Sequence, residues 1–221
     1  MQFPGIRLTS LGADLLAKAQ TGTTLEYTRV GLGAGKLPID NGAVWAAGVD
    51  YAVGDVVDVD SGAETLVCTV AHTSELPEPD ETDIKWDLFA GTPTYDSLTE
   101  LFDLKYYAPI SSLYAPGGGV ARIRFRFSNR DVFTGFRLSE FGIFAQDPDV
   151  GEVLYGISFA DEADFIPPGA GSTTMEKWVD VMTAIGQAEN LTFTISELVV
   201  TASIHDVTAI ATRAYHYAIM I

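Results

Sequence analysis

The clearest pattern in the chain is "VARIRFRFSN" at 120–129, where Ala121, Ile123, Phe125 and Phe127 alternate with Arg122, Arg124 and Arg126. A period of two puts the apolar set on one face of a strand and the arginines on the other. "FRLSEFGIFAQDPDVGEVLYGISF" then reads as a hairpin, with Asp147, Pro148, Asp149 and Gly151 supplying the turn. "TLEYTRVGLG" alternates Leu25, Tyr27 and Arg29, and "MEKWVDVMTAIG" and "NLTFTISELVVTASI" give further strands. One early segment has helical spacing instead. Thr9 can cap it, Leu11, Leu15, Leu16 and Ala19 form its apolar stripe, and Gly22 ends it. "YDSLTELFDLKYYAPI" fits either a helical turn or a strand. In the tail, Asp206 can cap a second helix, with Val207, Ile210, Ala214, Tyr217 and Ile221 at 3-4-3-4 spacing. The same letters fit a last strand. The predicted fold is mainly β: an antiparallel sandwich-like body with an N-terminal helix and a C-terminal helix candidate.

Residues 42–90 differ from their flanks. They hold two of the three tryptophans, the cysteine and the densest acids, between hinge-like "LPIDNGA" and "GTPTYDS". This stretch reads as an inserted small three-stranded β module, which leaves 1–41 and 91–221 as one discontinuous domain.

Glu140 interrupts an otherwise apolar strand, "RLSEFGIFA". Strict alternation places Arg137, Ser139, Phe141 and Ile143 on one face and Leu138, Glu140 and Gly142 on the other. A buried carboxylate is costly unless paired or hydrogen-bonded. Glu140 is therefore read as a structural buried acid, served by backbone donors or by Arg29, Arg122, Arg124 or Arg126. A catalytic acid would need a second carboxylate or a base at a matching position, and none is visible. Gly142 reads as a site of close backbone approach. "GLGAGK", with Gly31, Gly33 and Gly35, lacks the GKS or GKT ending of a phosphate loop and reads as a glycine-permitted turn. Cys68 and His72 fall on one face of one strand, where a buried structural cysteine is the favoured reading over a nucleophile pair. No catalytic residue is assigned.

Thirteen basic against thirty acidic residues give a net charge of −17. Such a surface repels phosphate backbones and anionic membranes, so nucleic acid and membrane insertion are poor partner choices. A single cysteine and three scattered histidines give no metal-ligand spacing, and neither metal nor cofactor is expected. The N-terminus lacks a secretory pattern and no stretch nears the ~20 apolar residues of a span, so the expectation is a soluble, cytoplasmically made chain.

In order, "LTSLGADLLAKAQTGTTLEYTRVGLGAG", "RIRFRFSN", "SEFGIFAQDPDVGEVLY", "DEADFIPPGAG" and "NLTFTIS" resemble the phage tail-collar fibre protein family over roughly 1–40 and 95–200. The resemblance implies a structural, non-enzymatic virion protein, synthesised in the host cytoplasm. It would anchor or adapt a tail fibre to the baseplate as a homotrimer, with baseplate and tail-fibre proteins as partners. The apolar C-terminal residues would form the seam between copies or to the next fibre protein. The chain stops soon after the resembling region, which favours an adaptor over a receptor-binding tip. The insert, with Trp45, Tyr51, Gly54, Asp55, Val57, "VCTVAHTS" and Trp86, resembles the small chitin-binding carbohydrate modules of bacterial chitinases and phage fibres. That implies three short strands pinned by the first and last tryptophans, with Trp45, Tyr51 and Trp86 as the aromatics that match glycan stackers. Glu75 and Leu76 stand where that family has an exposed aromatic, so a non-binding spacer or protein-docking knob is the favoured role over sugar binding.

Overall fold

The computed structural model describes residues 5–59, 62, 64–80, 82–169, 174–186 and 191–193. Among the described residues the body is one curled eight-stranded sheet with one α-helix. Its strands are β1 (Arg7–Leu8), β2 (Leu25–Gly33), β8 (Leu104–Gly117), β9 (Val120–Ser128), β10 (Phe136–Asp147), β11 (Gly151–Ile166), β12 (Glu176–Ala184) and β13 (Leu191–Phe193). Five further strands, β3 (Asp50–Tyr51), β4 (Val56–Val59), β5 (Glu64–Cys68), β6 (His72–Thr73) and β7 (Trp86–Leu88), belong to the insert. The body sheet runs β1-β11-β10-β2-β8-β9-β12, and β13 pairs with β2. All of its pairings are antiparallel except β13 with β2. The C-terminal seam residues Val207, Ile210, Ala214, Tyr217 and Ile221 lie outside the described residues.

Helix α1 (Ser10–Gln20) forms where the apolar spacing places it. Thr9 caps it by accepting a hydrogen bond from the Gly12 N–H at 3.0 Å, and its own hydroxyl donates to the Leu154 carbonyl. Leu15 and Ala19 turn into the core, and Gly12 lies against the Tyr155 carbonyl so closely that any Cβ would collide with it. The main core gathers Leu15, Tyr27, Val30, Ile110, Ile123, Phe125, Phe127, Phe141, Ile143 and Tyr155 between the two halves of the curled sheet. A second cluster of Leu98, Leu101, Phe144, Leu154 and Ile157 lies apart from it.

β9 and β12 pair residue for residue from Ser128↔Glu176 to Val120↔Ala184, so the predicted alternation of β9 holds throughout. Two other strands depart from it. On β10 the register with β11 shifts between Leu138 and Glu140, and Leu138 joins Phe141 and Ile143 in the main core instead of lying on the opposite face. On β2 the register with β10 shifts between Phe144↔Arg29 and Ala145↔Tyr27. Val30 and Leu32 thereby enter the core that Leu25 and Tyr27 occupy, while Arg29 stacks on the Tyr107 ring at 3.6 Å and pairs with Glu152. A one-residue bulge exchanges the faces of everything beyond it. The ambiguous segment resolves into a 3-10 turn, Tyr95–Ser97, ahead of β8.

Candidate functional site

Residues of the insert form two small sheets, β4-β5-β7 and β3-β6, so the three predicted strands are joined by a two-stranded ribbon. Its core is Tyr51, Val57, Val59, Leu66, Cys68 and Trp86, with Trp45 packed against it. The structure thus brings together the three aromatics matched to glycan stackers. It does not present all three to solvent. Trp86 is 2% exposed and Tyr51 8%, their ring centroids 5.1 Å apart in an edge-to-face arrangement. A module this small needs its largest rings inside to fold at all. Trp86 and Tyr51 therefore build the core, and their faces are not open to a sugar.

The "HTS" residues also act structurally. Ser74 donates to the Ala46 carbonyl at 2.6 Å and accepts from the Val49 N–H at 3.2 Å, and Thr73 donates to Asp50 at 2.5 Å. They hold the 46–51 loop, to which the Tyr51 hydroxyl is also tied through the Ala46 N–H at 2.9 Å. Beside this frame lies a cleft of about 330 Å³. Trp45, His72 and Trp86 contribute to its lining, as do Pro77, Pro79 and the charged residues of the 74–85 loop. His72 meets Trp86 edge-on at 5.5 Å. Sequence reasoning missed the part played by the prolines, His72 and Lys85; the run "SELPEPDETDIKW" between two rings was the available signal.

The second structured site is the neck, where the chain leaves the body and returns to it. Glu140 is fully buried and bridges both sides of that neck. Its Oε1 accepts from the Gly35 N–H at 3.0 Å and the Asp103 N–H at 2.7 Å, and its Oε2 from the Phe102 N–H at 3.0 Å. The Ser139 hydroxyl donates to the Gly35 carbonyl at 2.8 Å, and the Ala34 N–H to the Asp103 carbonyl at 2.9 Å. Burial pushes the Glu140 carboxyl above its ordinary range, while the three backbone donors pull the other way.

Among the described residues no arginine pairs with Glu140. Arg122 and Arg124 pair with Asp180, and Arg126 lies 4.0 Å from Glu176. The glycines of "GLGAG" are explained here too, and not as a turn. Gly31 and Gly33 sit inside β2, and none of the three has a positive φ. A Cβ on Gly33 would collide with the Glu140 carboxylate, and one on Gly35 would lie 2.6 Å from Oε1. Gly142 likewise leaves room for the Leu101 and Leu154 side chains rather than for a backbone.

The insert docks on this neck. The Lys36 N–H donates to the Val53 carbonyl at 3.0 Å, and Lys36 Nζ pairs with Asp55 at 2.7 Å. Gly54, at φ +93°, lies against the Lys36 carbonyl where no side chain would fit. The "GD" pair thus has a local cause: a glycine for the approach, an aspartate for the lysine and for the Ala52 N–H at 2.7 Å.

Cys68 and His72 lie on different strands, β5 and β6, with Sγ 3.9 Å from Nδ1. The Val70 carbonyl lies 2.7 Å from Nδ1. A carbonyl only accepts, so Nδ1 carries the hydrogen and is no base for the thiol. Burial pushes that thiol up to about 11. Among the described residues no group of three His, Cys, Asp or Glu side chains is placed to hold a metal ion. Comparison with known protein families, with curated proteins and with solved structures gives no match.

Proposed function

We propose that this chain is a structural, non-enzymatic component of a bacteriophage tail, which anchors or adapts a tail fibre to the baseplate through protein–protein contacts. The observation that carries this reading is the set of large apolar side chains exposed on the body. Phe133 is 90% exposed, Trp178 60% and Phe165 59%. Register places Phe165 opposite Arg137 and Trp178 opposite Arg126, so all three lie toward the end of the sheet where β9 stops and β10 starts. Exposed aromatics gathered at one end of a domain suit contact with another protein. The resemblance along the body strands supplies the kind of partner, and a homotrimer is the expected state. Sedimentation velocity on the full chain tests this: a trimer is expected, with its stoichiometry lost when the chain is ended after Phe193. A monodisperse monomer, unaffected by that truncation, overturns the reading.

A second reading rests on the cleft of the insert. A groove bordered by indole rings and prolines is suited to a pyranose, whose C–H face is apolar. On this reading the insert holds the particle on a cell-surface glycan. The ring nearest to serving it is Trp45, which is only partly buried, while Tyr51 and Trp86 support it from within.

A further inference from the structure

We propose that copies of this chain assemble through the outer face of β8, β9 and β12, which receives the acidic bulge of β11 from a neighbouring copy. The inference rests on the homotrimer reading and names the two patches that meet.

Strand register builds the first patch. β9 turns Ala121, Ile123, Phe125 and Phe127 into the core, so Arg122, Arg124 and Arg126 point outward. Opposite them on β12 stand Met182, Asp180 and Trp178, and Tyr114 of β8 lies opposite Arg122. Tyr114 is 63% exposed, Trp178 60% and Met182 48%. The outer face of an antiparallel sheet ordinarily carries polar side chains. Here it carries Trp, Tyr and Met interleaved with guanidinium groups, the side chains that the cores of protein interfaces gather. β12 is the last strand of the body sheet, and among the described residues no strand continues the face beyond it.

Charge selects the occupant. Arg122 and Arg124 share Asp180, at 3.3 and 2.7 Å, and Arg126 lies 4.0 Å from Glu176. Three guanidinium groups against two carboxylates leave this face positive, on a chain whose net charge is −17. A guanidinium has five N–H donors, and Arg124 gives those of Nε and one terminal nitrogen to Asp180, so donors remain for a further carboxylate. Like charge disfavours this face meeting its own copy, and a ring of identical subunits joins two different patches. The second patch is on β11. Its register with β10 passes from Glu140↔Phe159 to Leu138↔Asp164, so residues 160–163 bulge out of the ladder. Asp161 and Glu162 are exposed on that bulge and form no ion pair or hydrogen bond among the described residues. The exposed ring of Phe165 follows them and offers apolar surface to match the first patch. The two patches border each other where Lys177 lies 3.5 Å from Asp164, so each copy presents one on either side of that boundary.

Sedimentation velocity of the full chain over a dilution series tests this with four variants. Arg122→Glu with Arg126→Glu reverses the first patch and leaves the Arg124–Asp180 pair in place. Asp161→Lys with Glu162→Lys reverses the second. Each pair of substitutions is expected to raise the concentration at which trimers dissociate by about tenfold or more, and all four in one chain to recover most of that loss. Trp178→Ala, which removes an exposed ring and no charge, is expected to raise it by about tenfold. Far-ultraviolet circular dichroism checks that each variant keeps its strands. An unchanged dilution profile in all four variants overturns the two patches and leaves the homotrimer reading standing. Weakening by both reversals without recovery in the combined chain overturns the pairing of one patch with the other. A wild-type chain that is monomeric throughout overturns this proposal and the homotrimer reading together.

Discussion

Glu140 offers the most direct test of how the body is held together. Replacing it with Ala strips the acceptor from three backbone donors at once: Gly35, Phe102 and Asp103. Each N–H left without a partner costs about 1–3 kcal/mol, and removal of the buried charge offsets part of that. The net expectation is a loss of about 3–5 kcal/mol, or roughly 6–20 °C in Tm for a chain of this length. Glu140→Gln is the sharper variant. Its single carbonyl oxygen can serve Gly35 and Asp103 from the Oε1 position, which turns the amide NH2 toward the Phe102 N–H, donor against donor. One hydrogen bond is lost and a repulsion added, for about 1–3 kcal/mol. Guanidinium melts of wild type and both variants, followed by near-ultraviolet circular dichroism, measure these values. The carboxyl is also held above its ordinary range by burial. The folded state therefore keeps a proton that the unfolded chain releases near pH 4.3, about the ordinary glutamate value. Stability from this group is fully present below that pH and declines as pH rises toward the folded-state value. The gap between wild type and Glu140→Gln should accordingly be widest in acid and narrow as pH rises through that window. Two variants as stable as wild type would refute the clasp, and a gap that widens with pH would show its three donors outweighing burial.

Gly33→Ala drives a methyl group into the Glu140 carboxylate and should cost about 1–3 kcal/mol by overpacking, measurable in the same melts. Trp86→Ala removes the largest buried ring of the insert and should cost that region about 3–5 kcal/mol, read as loss of hydrogen-exchange protection in β4, β5 and β7 with the body strands unaffected. Trp45→Ala, at a partly buried ring, should leave that protection largely in place. The Cys68 thiol, raised to about 11, should resist maleimide at pH 8, where only about one thiolate in a thousand is available, and label at an ordinary rate once denatured; fast labelling of the native chain would contradict its burial.

What could be read from the sequence follows from how local each cause is. The helix was legible because cap and stripe lie within one short segment: Thr9 accepts from Gly12, three residues away, and Leu15 and Ala19 share a face. β9 was legible because it pairs without a bulge along β12, so its alternation survives intact. β2 and β10 were misread in detail because a register irregularity in each exchanges the two faces, and nothing in "TLEYTRV" or "RLSEF" marks where it falls. Glu140 was recognisable as a buried acid, but its partners were not. The donors are backbone groups 105, 38 and 37 residues away, and backbone leaves no letter in the sequence. The glycines opposite it carried the missing information. They looked like turn residues because glycine most often supplies backbone freedom, whereas here it supplies space. In the insert, the same aromatics fit a core and a binding face equally well, and only burial separates Trp86 from Trp45.

The position of the clasp also explains how the body accommodates the insert. β2 and β8 are antiparallel neighbours, with Gly33 opposite Leu104, so everything from 34 to 103 occupies what would otherwise be a hairpin loop. The entropic cost of closing such a loop grows only slowly with its length, provided its ends are held. Glu140 holds them from a third strand: one carboxylate bonds Gly35 on the outgoing side and Phe102 and Asp103 on the returning side. The Lys36–Asp55 pair and the approach of Gly54 then seat the first part of the insert against that fixed neck. The restraint on the loop's ends thus comes from β10, a strand between β2 and β11 and outside the insert altogether. For that reason the loop can carry a separate small module without altering the register of β2 and β8 on which the body's core depends.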